Sequence, residues 1–340
     1  MQQTIVKSLL GACGALVAAG SLGAAEVNVY TARHYEGDAA LYDAFTKETG
    51  IKVNRKEGKP EELLQLIVAQ GNASPADVLV TVDAGNLWRA EAAGVVQPVA
   101  SPILSARIPA QFRDPSNNWF GIAYRVRLIA VALDQADKLN VKSYDDLAAP
   151  RFKGMVCARQ SSNIYNLSLL GARIGADGAA KAQAWAAAVA GNFARQPQGG
   201  DTDQLLAVAS GECKVAIANH YYLVRLQNSK KPEEQAAAAK IKAVLPDQDG
   251  RGVHANISGA AMLKSAPNKA EAQKFLEFLV SDTAQAYFAN GNYEFPVVAS
   301  VARPQVLTNL GEFKTDTINV RVYGENQAEA QKLFDKAGWR

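Results

Sequence analysis

The chain has 340 residues, with 36 Lys and Arg against 33 Asp and Glu, and hydrophobic residues make up 48% of it. This composition is that of a folded globular protein rather than a disordered one, and the length allows roughly two domains of ordinary size. A formal charge of +3 gives no general field for nucleic acid or an anionic membrane, and three Cys with three His exclude a disulfide-stapled mini-scaffold, a zinc ribbon or an iron–sulfur protein.

Residues 1–25 read MQQTIVKSLLGACGALVAAGSLGAA. Lys7 precedes an apolar stretch from Ser8 to Ala19, and the segment closes on the small residues Leu22-Gly23-Ala24-Ala25. This layout predicts a signal peptide cleaved after Ala25, since the apolar stretch is too short and too rich in Ala and Gly to span a bilayer. A second reading takes Leu10-Gly11-Ala12-Cys13 as a lipoprotein cleavage box. Export leads to an oxidising compartment. Cys157 and Cys213 remain after cleavage, each in a strand-like run, and an even pair in neighbouring strands predicts one disulfide. The alternative is two buried free thiols. A bridge would close a loop of about 56 residues, contributing roughly 3–4 kcal/mol by the chain-entropy model.

After the leader, Glu26–Thr31 alternates as a short strand. Asp38–Thr49 has helical spacing, with Leu41, Tyr42 and Phe45 on one side and Gly50 ending it. Residues 51–55 read as a strand, Pro60–Gln70 as a helix, and 77–82 (DVLVTV) as a continuous apolar strand covered on both faces. A short helix over 87–93 follows. This order is the signature of an α/β lobe. The stretch 119–133 (WFGIAYRVRLIAVAL) is rich in strand formers, and residues 143–147 open a short helix. A second set then runs through a strand at 155–158, helices near 166–174, 179–190 and 202–210, and a strand at 213–218. Residues 253–263 are strand-like, 269–280 form an amphipathic helix, and 328–337 a last helix. Two αβ sets without a linker predict two lobes joined by strands that cross between them.

Ordinary catalytic motifs are absent. Gly199-Gly200-Asp201 is a turn signal without GxxxxGK[ST], and no GxSxG elbow or HExxH occurs. Ser161-Ser162 lacks a plausible His/Asp partner by motif, and His254 in its Gly-rich loop reads as structural. The tyrosines are the unusual feature. His34-Tyr35 follows the first strand, Tyr165 lies in a polar loop after the Cys157 strand, and Tyr221-Tyr222 follow the strand of Cys213. Ligands of open α/β sheets sit outside the carboxyl ends of strands, so three phenol-bearing segments at such ends predict one cleft. Taken singly, each Tyr reads as a half-buried packing residue with its hydroxyl in water; Tyr30 and Tyr42 read as core, and His220 as a loop residue.

Neutral phenols with a pKa near 10 serve poorly as acids or bases at neutral pH. A highly charged cation reverses this by favouring the deprotonated oxygen. Phenolates with one imidazole suit Fe³⁺, whereas Ca²⁺ or Mg²⁺ calls for carboxylates and carbonyls. Arg33, Arg125, Arg127 and Arg225 are candidates to balance excess anion or to hold a small co-bound anion. Arg225, three residues past Tyr222, would share its face of a continuing helix.

The stretches VNVYTARHYEGDAALYDAFTKETGIKV, RQSSNIYNLSLL, FARQPQGGDTDQLLAVASGE, ANHYYLVRL, NISGAAMLKSAPNKAEAQKFLEFLVS and NYEFPV, among others across nearly the whole mature chain, resemble the periplasmic ferric-iron-binding proteins of bacterial ABC importers. The resemblance implies a two-lobed α/β periplasmic-binding-protein fold that closes on Fe³⁺ in an interlobe cleft and delivers it to an inner-membrane ABC permease. It maps the metal ligands onto His34, Tyr35, Tyr165, Tyr221 and Tyr222, with His34 used variably in the family. Arg125 and Arg225 match the family's arginines around the site, with Arg33 beside them, and a synergistic anion such as carbonate is implied. The expected lobes are 26–124 with 248–298, and 125–247 with 299–340. The expected protein is a periplasmic monomer that binds no nucleic acid and is not an enzyme. Two rival readings are a solute-binding protein for a small organic anion or cation held by Arg, Tyr and Trp88 or Trp119, and an exported hydrolase using Ser161 or His254.

Overall fold

The computed structural model describes residues 25–33, 35 and 37–340; His34 and all of the expected leader except Ala25 lie outside the described residues. Among the described residues, eight strands form one continuous hydrogen-bonded system. They are β1 (Glu26–Thr31), β2 (Lys52–Glu57), β3 (Val78–Val82), β4 (Phe120–Ala132), β5 (Val156–Cys157), β6 (Val215–Asn219), β7 (Ile241–Val244) and β8 (Ala255–Met262). Their order is β2-β1-β3-β8-β4-β6-β5, with β7 also paired to β4. The β1–β2, β1–β3 and β5–β6 pairs are parallel, which the intervening helices Asp38–Thr49 and Pro60–Gln70 make possible on the first side.

β4 organises the molecule. Its 13 residues are all buried. Residues Phe120–Val126 pair antiparallel with β8, and from Arg127 onward the same strand pairs antiparallel with β6 and then β7. The apolar, β-branched run seen at 119–133 thus crosses from one packing unit to another. Val126 belongs to a first hydrophobic core, while Leu128 and Ile129 belong to cores on the far side. The first core gathers Val27, Phe45, Val80, Trp119, Ile257, Phe275 and Phe295; the far side gathers Leu147, Leu170, Trp185, Val215, Leu223 and Phe334. The C-terminal stretch divides between them: Val301 to Tyr323 pack with the first core, and Ala330, Leu333, Phe334 and Trp339 with the second.

The expected Cys157–Cys213 bridge is present, with a Cα–Cα separation of 5.8 Å, and it ties β5 to the segment entering β6. Among the described residues, no helix is long and apolar enough to cross a membrane.

Candidate metal centre

Each element that carries a singled-out Tyr ends at the seam between the two cores. β1 delivers Arg33 and Tyr35. β5 leads through a loop to the helix Ile164–Asp177, whose cap Asn163 accepts a hydrogen bond from the Tyr165 amide through its side chain at 3.1 Å. β6 runs directly into the helix His220–Gln227, which carries Tyr221 and Tyr222 in its first turn and Arg225 in its last.

The four rings converge. The Tyr165 and Tyr221 hydroxyl oxygens are 3.4 Å apart, and the Asn219 side-chain amide donates to the Tyr221 hydroxyl at 3.4 Å. Tyr35, from the first core's side, meets Tyr221 edge-on with 6.5 Å between centroids, and Tyr222 lies 4.4 Å from Tyr221. Tyr165 and Tyr221 are buried, whereas Tyr35 and Tyr222 are half-buried. Among the described residues, no group of three or more His, Cys, Asp or Glu side chains is gathered where a metal could sit.

Five guanidinium groups surround the rings. Arg225 sits 5.0 Å from the centroids of both Tyr35 and Tyr221 and 5.7 Å from that of Tyr222, so the spacing of three and four residues along its helix brings it over both tyrosines of the pair. Arg125 and Arg127 share one face of β4 by the two-residue period, and each lies 5.7 Å from the Tyr165 centroid. Arg159 lies 5.3 Å from the same ring, and Arg33 4.7 Å from Tyr35.

Buried cations need partners. Arg33 donates to Asp38 at 3.0 and 3.2 Å and to Glu294 at 2.7 Å. Arg127 donates to Asn219 at 3.0 Å and Asn166 at 3.1 Å and meets Asp201 at 3.4 Å, while Arg159 reaches Asp201 at 3.2 Å. Arg225 bonds the Asn292 side chain. One guanidinium nitrogen of Arg125, Nη2, has no hydrogen-bond partner.

Glu294 is the principal carboxylate here, and no sequence pattern flags it. It is fully buried and accepts from Arg33, Ser258 and Asn292, at 2.7, 2.6 and 2.9 Å. Burial alone would raise its pKa, but the Arg33 and Arg125 charges and the hydrogen bonds from Ser258 and Arg33 hold it down at about 2. The phenols move the other way. Burial raises the pKa of Tyr35, reinforced by Glu294, and raises those of Tyr165 and Tyr221 well above the ordinary phenol value, reinforced by neighbouring tyrosines. These three phenols are neutral near pH 7 and yield their protons only to something strongly positive.

His220 corrects the reading as a loop residue. It is the first residue of its helix and is fully buried. Its Nδ1 accepts the Val126 amide of β4 at 3.2 Å, and its Nε2 lies 2.8 Å from the Tyr293 carbonyl, which makes Nε2 the protonated nitrogen. Burial lowers its pKa to about 4, keeping it neutral. Trp119 is buried in the first core with its indole N–H donating to Glu91 at 2.9 Å, so it does not line a ligand site. His254 is buried against Tyr323 with neither ring nitrogen hydrogen-bonded, so it forms no hydrogen-bonded pair with Ser161.

The model of the bacterial extracellular solute-binding protein family matches residues 73–316. The chain belongs to that family. It is a binding protein, not an enzyme. This solute-binding protein is 47% identical over 315 residues to Iron uptake protein A1 of Synechocystis sp., covering 93% of this chain and 88% of the relative. It is 28% identical over 342 residues to the major ferric iron-binding protein of Neisseria meningitidis serogroup B, covering all of both. In three dimensions it matches a Trichodesmium FutA (IdiA) structure in complex with iron and citrate, with a TM-score of 0.90 and 49% identity over 93% of this chain and 100% of that one. The two-lobed architecture of these iron-binding structures is thus the architecture of this chain.

Proposed function

We propose that this protein captures ferric ion between its two packing units and passes it to an ABC permease of the inner membrane. The ligands are the phenolate oxygens of Tyr35, Tyr165, Tyr221 and Tyr222, with His34, adjacent to Tyr35 in the sequence, as a further candidate. The observation that carries this reading is the meeting of four tyrosines from three strand ends, with the Tyr165 and Tyr221 oxygens 3.4 Å apart and no His, Cys, Asp or Glu cluster among the described residues. Names of relatives such as the ferric iron-binding protein of Neisseria support the choice of ion.

Charge balance follows from the donor set. Four phenolates around Fe³⁺ carry one net negative charge, which Arg225 and Arg125 offset. A small synergistic anion such as carbonate would find Arg125 with a guanidinium nitrogen to spare. The iron and citrate of the Trichodesmium structure support an iron cargo accompanied by an anion.

Capture is a closure. The first lobe comprises residues 26–126 with 253–326, and the second 127–252 with 327–340. This division moves the stretch before residue 327 from the expected second lobe to the first, because Val301 to Tyr323 pack there. β4 and the segment joining β7 to β8 act as the hinge. Tyr35 lies on one side of the seam and Tyr165, Tyr221 and Tyr222 on the other, so an ion bonded to all four favours the closed form. The protein works in the periplasm as a monomer after export through its leader.

The test is metal analysis of protein purified without chelator, beside Tyr221→Phe and Tyr222→Phe. One ferric ion per chain, with affinity reduced by orders of magnitude in each variant, supports the reading. Unchanged affinity in both removes the site.

A further inference from the structure

Asp83 lies where β3 enters the helix Ala84–Ala92, at φ 76° and ψ 128°. An Asp with that backbone is sparsely populated, and such residues persist only where the surroundings over-determine them. Its carboxylate is fully buried. Oδ1 accepts the Gly85 amide at 2.9 Å and the Ser168 hydroxyl at 2.5 Å; Oδ2 accepts the Asn256 side-chain amide at 2.9 Å and lies 3.9 Å from Arg125 Nη2. Asn256 in turn accepts the Ala84 amide at 3.0 Å, fixing this corner to β8.

The Ser168 bond is the one that crosses the seam. Asp83 ends a strand of the first core, whereas Ser168 belongs to the helix Ile164–Asp177, whose Leu167, Leu169 and Leu170 pack in the second while its C-terminal half, through Ala172, meets the first. Ser168 is also fully buried, and it lies three residues past Tyr165, on the same helix face. One turn farther, a Cβ on Gly171 would come within 2.7 Å of the Tyr323 carbonyl, so the helix is seated with no slack. The helix that presents Tyr165 is therefore bolted to the first core by a hydrogen bond to a charged group, one of the stronger kinds.

We propose that Asp83 and Ser168 form an interlobe latch: Ser168 donates to the Asp83 carboxylate only when the lobes are shut, and this bond holds Tyr165 in register with Tyr35. Both are positioning residues. The role rests on the ferric-capture reading above.

The test compares the parent with Ser168→Ala, which removes the donor while Asp83 keeps its Gly85 and Asn256 partners, and with Ser168→Cys, which keeps the volume and most of the fold but offers a weaker donor. Each is loaded with ferric citrate and mixed with excess competing chelator. A lost hydrogen bond to a charged group predicts iron release about ten- to a hundredfold faster in Ser168→Ala, with Ser168→Cys between it and the parent. Small-angle scattering of the loaded Ser168→Ala protein should show a larger radius of gyration than the loaded parent, with the visible band at the parent's position. Release and compaction equal to the parent's in both variants overturn the latch. A displaced visible band also overturns it, because Ser168 would then act on the ligand set rather than on closure. A parent that takes up no ferric ion sinks the ferric reading itself, and the latch with it; a parent that binds while both variants behave like it sinks the latch alone.

Discussion

Binding should be steeply coupled to pH. Burial raises the phenol pKa values of Tyr35, Tyr165 and Tyr221, so the empty protein holds all three protons at neutral pH. If the ion is bound by the phenolates, those protons leave on loading. The sign follows: protons are carried by the empty form and not by the loaded one, so acid favours release and alkali favours capture. At fixed free ferric ion, the four phenols that become phenolates release four protons, so the apparent affinity falls about ten-thousandfold per pH unit, or about 5.4 kcal/mol at 1.36 kcal/mol per proton and unit. The perturbation is a change from pH 8 to pH 6.5. The assay is competition against a ferric chelator of known proton dependence, with ferric hydrolysis measured in a protein-free control. A pH-stat record of the protons liberated on loading gives the same count independently. Tyr221→Phe should lower the slope by one. A slope of one or less in the parent would refute the reasoning, since the phenols would then keep their protons in the loaded state.

Other consequences concern the surroundings of the site. Glu294 is depressed from 4.5 to about 2, so it contributes stability that is present above about pH 4.5 and is lost as pH falls toward 2. Glu294→Gln should cost about 3 kcal/mol at pH 7 by leaving Arg33 and Arg125 under-compensated, and its melting temperature should approach the parent's as pH falls through that window; melting curves that stay parallel would contradict this. Removing the 56-residue loop closure with Cys157→Ser and Cys213→Ser together should cost roughly 3–4 kcal/mol in denaturant unfolding, and equal midpoints would argue against a stabilising bridge. Arg225→Ala strips the cation from beside three rings, and ferric affinity measured by chelator competition should fall on the order of tenfold to a hundredfold, as for loss of a group supporting a metal ligand; unchanged affinity would leave Arg225 outside the charge balance.

Much of this arrangement is readable from local pattern. The limits of the helices Asp38–Thr49 and Pro60–Gln70 follow from their apolar spacing, a terminal Gly50 and an initial Pro60, and both match the structure. The crossing strand announces itself as a long run of strand formers, and its two arginines stand out because such a run tolerates buried charge only beside partners. The four tyrosines were visible as phenols at strand ends. What was not legible depends on residues distant in the chain. Glu294 matters because it meets Arg33, 261 residues away, and a single carboxylate in a loop carries no periodicity. The sequence reads a helix only from Tyr222 onward, so His220, at the helix's first position after β6, reads as part of the loop before it. Asp83 carries no signal in the sequence until its positive φ and its bond to Ser168, 85 residues on, are seen. The stretch Val301–Tyr323 was assigned by family likeness, and only packing shows which core it joins.

The central claim is that phenolate oxygens hold the ion, and the visible absorption spectrum during titration with ferric citrate tests it most directly. A phenolate-to-iron charge-transfer band should grow linearly to one ferric ion per chain and bleach on reduction to Fe²⁺. A protein that saturates with ferric ion and stays colourless would contradict it.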